Sequence, residues 1–141
     1  MDTIGPDAVR RALLELEPLT HRLPPGAGRA AVEALLAPEF WEVGASGSVY
    51  RRDYVIDVVA DRYAAGIDPD DATWTVTEFA VRRLSDAAWL ATYLLRQDDR
   101  LSRRATLWEW TPSGWRASYH QGTLAGRAAQ PSVVANASSA S

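Results

Sequence analysis

Residues 74–123 fall into four runs rich in β-branched and aromatic residues, and the breaks between them are very short. The runs are Trp74–Leu84, Ala87–Gln97, Ser102–Thr111 and Trp115–Thr123. The breaks carry turn residues: Ser85-Asp86, Asp98-Asp99-Arg100 and Pro112-Ser113-Gly114. Parallel neighbours need a long crossover, so links this short predict an antiparallel meander.

The first half has a different period. Pro6 and Asp7 suit a first helical turn. Val9, Leu13, Leu16 and Leu19 then recur at helical spacing, with Arg10, Arg11, Glu15 and Glu17 off that stripe. Pro18 blurs the end of this helix. The period predicts a second helix over Arg29 to Leu36, closed by Pro38, and a short strand over Phe40 to Val43. There Phe40 and Glu42 point one way, and Trp41 and Val43 the other. A third helix is expected from Arg52, with Tyr54, Val55, Val58, Val59 and Arg62 on one packed side and a stop at Gly66.

Three helices followed by a meander predict an α+β domain, with helices packed on a strongly curved antiparallel sheet that encloses a pocket. The single domain is expected over residues 1–125, with a small, polar, disordered tail over 126–141. In the second long run Trp89, Ala91, Tyr93 and Leu95 alternate with Leu90, Thr92 and Leu94, so both faces are largely apolar. One helical layer covers one face; a second copy of the chain is the simplest cover for the other, which predicts a homodimer through the outer sheet face.

Composition narrows the chemistry. The 141 residues carry a net charge of −3, and all 15 basic residues are arginine. Arg82-Arg83 and Arg103-Arg104 lie on strands, where neighbours face opposite ways, so neither pair forms a patch for nucleic acid. There is no cysteine and there are two histidines, which leaves no thiolate site and predicts neither a metal nor a cofactor. The Asp68-Asp70-Asp71 cluster lacks the spacing of a calcium loop. The opening residues lack the features of a signal peptide, and no apolar stretch approaches the ~20 residues of a membrane span, so a cytoplasmic protein with no membrane partner is expected.

Two motifs carry a resemblance. Leu35-Leu36-Ala37-Pro38-Glu39-Phe40-Trp41-Glu42-Val43-Gly44-Ala45-Ser46-Gly47 resembles the opening of the nuclear transport factor 2-like superfamily. The later Ser102-Arg103-Arg104-Ala105-Thr106-Leu107-Trp108, with Gly114-Trp115-Arg116 and His120-Gln121-Gly122-Thr123, resembles its end. The similarity runs from Val9 to Leu124 and is greatest to a bacterial branch of unknown function near the polyketide-cyclase-like group. It implies a cone-shaped fold with a pocket between sheet and helices, and frequent dimers. It implies no single activity, because relatives include isomerases, dehydratases, cyclases and binding modules.

The last hairpin locates candidate residues. Pro112-Ser113-Gly114 fits a three-residue loop with a glycine bulge, which sets Thr111 opposite Trp115. Counting outward pairs Trp110 with Arg116, Trp108 with Ser118, Thr106 with His120 and Arg104 with Gly122. One face then carries Arg104, Thr106, Trp108, Ser118 and His120, a polar cluster suited to a ligand pocket. Glu42 is a candidate to join it.

His120 is either a general acid or base or a buried histidine bonded to Thr106 or a carbonyl. Arg104 either grips a ligand carboxylate or pairs with Glu42. Trp108 stacks on a ligand ring or packs in the core. Tyr93 and Tyr54 donate hydroxyls into the cavity or pack. These residues support a domain binding a small apolar or acidic organic ligand. The alternatives are a lyase, isomerase or cyclase using Glu42 and His120 as acid and base, and a dimeric interaction module with a filled pocket. A second carboxylic acid of the ketosteroid isomerase kind is missing from the late strands, where Glu109 falls on the face away from His120.

Overall fold

The computed structural model describes residues 5–24, 26–66 and 74–127. The order is α1 (Pro6–Leu14), α2 (Arg29–Leu35), β1 (Leu36–Val43), β2 (Val49–Arg51), α3 (Arg52–Ala64), β3 (Trp74–Arg83), β4 (Ala88–Gln97), β5 (Arg100–Thr111) and β6 (Gly114–Arg127). The strands form one six-stranded sheet in the order β2-β1-β6-β5-β4-β3. The expected meander β3-β4-β5-β6 is present and antiparallel throughout. β1, however, joins β6 in parallel, so the sheet is mixed. The joining of first and last long strands rests on non-local pairing, which leaves no local mark in the sequence.

Period-two alternation sends Trp89, Ala91, Tyr93 and Leu95 of β4 inward, and all four are buried. Val9 and Leu13 of α1, Val32 and Leu35 of α2, and Val55, Ile56, Val59 and Tyr63 of α3 meet them in one core. On α3 the packed stripe is thus shifted from the expected one. Tyr54 and Val58 are 55% and 44% exposed.

Local chemistry sets the remaining ends. α2 stops at Leu35, and β1 starts at Leu36, upstream of Pro38. Pro38 lies where the β1–β6 register shifts, between Leu36 and Trp41, a break that tolerates a residue lacking an N–H. α3 ends before Gly66, whose φ of 73° suits glycine. β3 bulges between Thr77 and Ala80, with Glu78 at φ 54°. Such extra residues bend strands and curve a sheet. β6 runs to Arg127, past the expected boundary at 125. The rest of the expected tail and the Asp68-Asp70-Asp71 cluster lie outside the described residues. No helix among the described residues is long and apolar enough to cross a membrane.

Candidate functional site

The last hairpin differs from expectation at its turn and agrees with it at the site. Thr111 faces Gly114 and Trp110 faces Trp115, so Pro112 and Ser113 alone form the loop. The extra residue appears further along: Leu107 faces Tyr119 while Trp108 faces Ala117, which leaves Ser118 as a bulge. The two differences cancel. From Leu107 onward Thr106 faces His120 and Arg104 faces Gly122, as the sequence predicts.

Ser118 therefore leaves the proposed ligand face. It is buried, and its hydroxyl donates to the Leu107 carbonyl at 3.3 Å. Trp108 is fully buried too, and its Nε1–H donates to Glu17 Oε2 at 3.0 Å. Tyr93 donates its hydroxyl to Glu17 Oε1 at 2.7 Å. Thr106 is fully buried, with Oγ1 2.7 Å from His120 Nδ1, and its hydroxyl lowers the pKa of the Glu17 carboxyl. None of Ser118, Trp108, Thr106 and Tyr93 borders the cavity beside His120. The last three instead hold a buried carboxyl group.

The sequence pattern puts that carboxyl off the apolar stripe of the first helix. The helix ends at Leu14, so helical period no longer governs Glu17, and the following loop turns it inward. The Glu17–Pro18 peptide is cis. Thr20, three residues on, is tethered through its carbonyl by Arg62 Nη2 at 2.9 Å and by the Tyr63 hydroxyl at 3.0 Å. Glu17 is fully buried with no cation bound to it among the described residues. Burial raises its pKa, against the hydrogen bonds from Thr106, Tyr93 and Trp108, which lower it. Burial likewise raises the pKa of the Tyr93 phenol, and the nearby Glu17 raises it further.

Next to this network lies a cavity of about 280 Å³ between α3, the Leu19–His21 loop and the inner faces of β1, β5 and β6. His21, Glu42, Arg62, Arg104 and His120 face it, with Thr20, and Tyr50 and Tyr54 stand at its wall. Val55, Val58 and Val59 supply an apolar side. Parallel pairing sets Glu42 beside His120, as register partners. Phe40 is buried while Trp41 points to the outer face, which matches the expected alternation of β1.

The charges in the cavity are unequally matched. Arg104 Nε donates to Ser102 Oγ at 3.0 Å, and no carboxylate lies within ion-pair distance of Arg104 among the described residues. The expected Arg104–Glu42 ion pair is therefore not formed. The two still feel each other across the cavity: burial raises the Glu42 pKa and Arg104 lowers it. Burial lowers the pKa of Arg104. His120 is pushed down to about 3 by burial, then by Arg104 and His21. His21 is pushed down to about 4 by burial, then by Arg62 and Arg104. Both imidazoles are neutral at physiological pH.

No family model matches the chain, and neither does any curated protein. Solved structures do. A protein of unknown function from Pseudomonas aeruginosa, described as NTF-2 like, is similar with a TM-score of 0.66 at 14% identity, over 84% of this chain and 99% of that one. An uncharacterized protein with a cystatin-like fold from Caulobacter vibrioides gives 0.65 at 16% identity, over 92% and 93%. An NTF2-like protein from Cytophaga hutchinsonii gives 0.61 at 13%, over 84% and 96%. Identities this low speak to the fold, and they do not single out the polyketide-cyclase-like group. The chain has the nuclear transport factor 2-like, cystatin-like α+β fold.

Proposed function

We propose that the chain binds a small organic acid in the cavity beside His120, with Arg104 gripping the acid group. The observation that carries this reading is the partly buried Arg104 side chain, which lines the cavity without a carboxylate partner among the described residues. A guanidinium taken from water is costly unless its donors are met, and a ligand carboxylate meets two of them at once. Arg62 adds a second positive charge against the single Glu42. The three valines of α3 suit a short apolar body on the same ligand. The volume lies near the lower end for small-molecule sites, roughly 300 Å³. Native mass spectrometry against a panel of small carboxylic acids, amines and neutral analogues tests the reading. Retention of acids by the wild type and their loss in Arg104→Met supports it; equal retention of amines, or of acids by the variant, overturns it.

Proton-transfer catalysis of the lyase, isomerase or cyclase kind is a second reading. It is favoured by the register pairing of Glu42 with His120, which sets two groups able to exchange protons on one cavity wall.

We also propose that the outer sheet face pairs with a second copy of the chain. Trp41 is 44% exposed there, and its ring centroid is 4.6 Å from that of Tyr119. Leu90, Leu94 and Leu107 extend the same face, and all three are only half-buried in the single chain. Aromatic and aliphatic groups presented together are characteristic of interface cores.

A further inference from the structure

We propose that Glu17, Thr106 and His120 form a proton relay, in which a proton taken from a ligand at His120 Nε2 ends on the Glu17 carboxylate while the imidazole stays neutral. Three observations support it. First, the three groups are in series: the Thr106 hydroxyl lowers the pKa of the Glu17 carboxyl beside it, and Thr106 Oγ1 lies 2.7 Å from His120 Nδ1. Second, His120 borders the cavity, and its only bond among the described residues is through Nδ1, so Nε2 is the atom left to meet a ligand. Third, Glu17 is fully buried and outside the cavity lining, with no cation within ion-pair distance among the described residues, while Arg104 acts on it from further off.

Hydrogen-bond direction then links the ends. A hydroxyl has one proton to donate. When Glu17 is ionised it accepts from Tyr93, Trp108 and Thr106, within the roughly four lone-pair sites of a carboxylate. Thr106, having donated to Glu17, must accept from His120, so the proton sits on Nδ1 and Nε2 is bare. When Glu17 is protonated it donates to Thr106, Thr106 donates to Nδ1, and the proton sits on Nε2. The two arrangements differ by one proton. In the transfer, the ligand O–H or activated C–H gives its proton to Nε2, Nδ1–H passes to Thr106 Oγ1, and the Thr106 proton passes to Glu17. The ligand leaves the step as its conjugate base, beside Arg104, and Glu17 leaves it neutral.

Electrostatics favour this ending over an imidazolium. Arg104 on β5, Arg62 on α3 and His21 on the loop face the cavity with His120, and Glu42 on β1 is the one acid among them. Tyr93 on β4 and Trp108 on β5 face Glu17. Burial disfavours the positive ring and the negative carboxylate alike, so moving the proton to Glu17 removes a buried charge without creating one at His120. The relay deepens the proton-transfer reading of this cavity, but its test needs no ligand.

The test is nitrogen NMR of the full chain labelled at histidine, with His21→Gln used to assign the two rings. In the wild type the His120 proton is expected on Nδ1 at high pH and on Nε2 after acidification, with no doubly protonated ring at that midpoint. Tyr93→Phe removes one donor from the carboxylate and should raise the midpoint by roughly one pH unit. Glu17→Gln should leave a single tautomer wherever the ring is neutral, and Thr106→Val should uncouple the ring from Glu17. A His120 ring that titrates directly to imidazolium, or a midpoint unmoved by Tyr93→Phe, overturns the relay. Should Glu17→Gln fail to fold, Tyr93→Phe decides alone. Loss of the switch with acid binding intact removes the relay only; an intact switch without acid binding removes only the ligand reading.

Discussion

Arg104 lies across Gly122: a Cβ at Gly122 would sit 3.3 Å from Arg104 Nε and 3.5 Å from its Cζ. The two residues are register partners on β5 and β6, so the missing side chain leaves the guanidinium room to lie flat along the inner face. Gly122 thus sets the space in which Arg104 lies, and under the proposed reading it positions that side chain for the acid. Gly122→Ala should displace Arg104 and weaken acid binding, and Gly122→Val should do so more, with the core unaffected. Titration calorimetry with an acid retained by the wild type measures the loss; unchanged affinity in both variants would refute the arrangement.

Because no carboxylate among the described residues lies within ion-pair distance of Arg104, Arg104→Met should lower stability by only about 1 kcal/mol, the usual worth of its hydrogen bond to Ser102. Combining it with Glu42→Gln should give effects additive within about 1 kcal/mol, whereas a buried pair would show about 3–5 kcal/mol on breaking. Urea unfolding of the two single variants and the double variant separates these outcomes.

The neutral histidines make stability fall in acid. An unfolded histidine titrates near 6.5, while folded His120 and His21 hold out to about 3 and about 4. The unfolded chain therefore binds more protons below 6.5. Stability is full above that pH and is lost as pH falls below it. For His120 the loss between pH 6.5 and pH 5 should be about 2 kcal/mol. Glu17 works in the opposite sense, because its raised pKa lets the folded state take up a proton first. Thermal unfolding across this range should show a shallower slope in His120→Gln and a steeper one in Glu17→Gln.

Pairing through the outer face predicts a sedimenting mass near twice 15.5 kDa at micromolar concentration. Trp41→Arg should give the monomer without touching the inner cavity, as Trp41 points away from it. A wild type that sediments as a monomer would remove the proposal.

The sequence shows most of the sheet and misses its fully buried carboxyl group, Glu17. Thr106 and His120 were legible as partners because turn residues and strand period constrain a hairpin locally. The count survived even though the spare residue lies at Ser118 and not in the loop. Glu17 was not legible, because its surroundings are supplied from 76 and 91 residues away. Its neighbours in sequence, Glu15 and the apolar helix stripe, signal an exposed position. The same distance effect hid the parallel pairing of β1 with β6, and with it the place of Glu42 beside His120.

The bond between Glu17 and Trp108 also bears on how the chain is made. A ribosome exposes Glu17 long before it delivers Tyr93 and Trp108, 76 and 91 residues later. Until then, docking the segment after α1 would bury a bare carboxylate, which is unfavourable by several kcal/mol. Docking of that segment is then expected to be one cooperative step with closure of the last hairpin. The slow event in folding should be this late meeting of the Glu17 segment with β4 and β5, as expected where contacts of long sequence separation dominate.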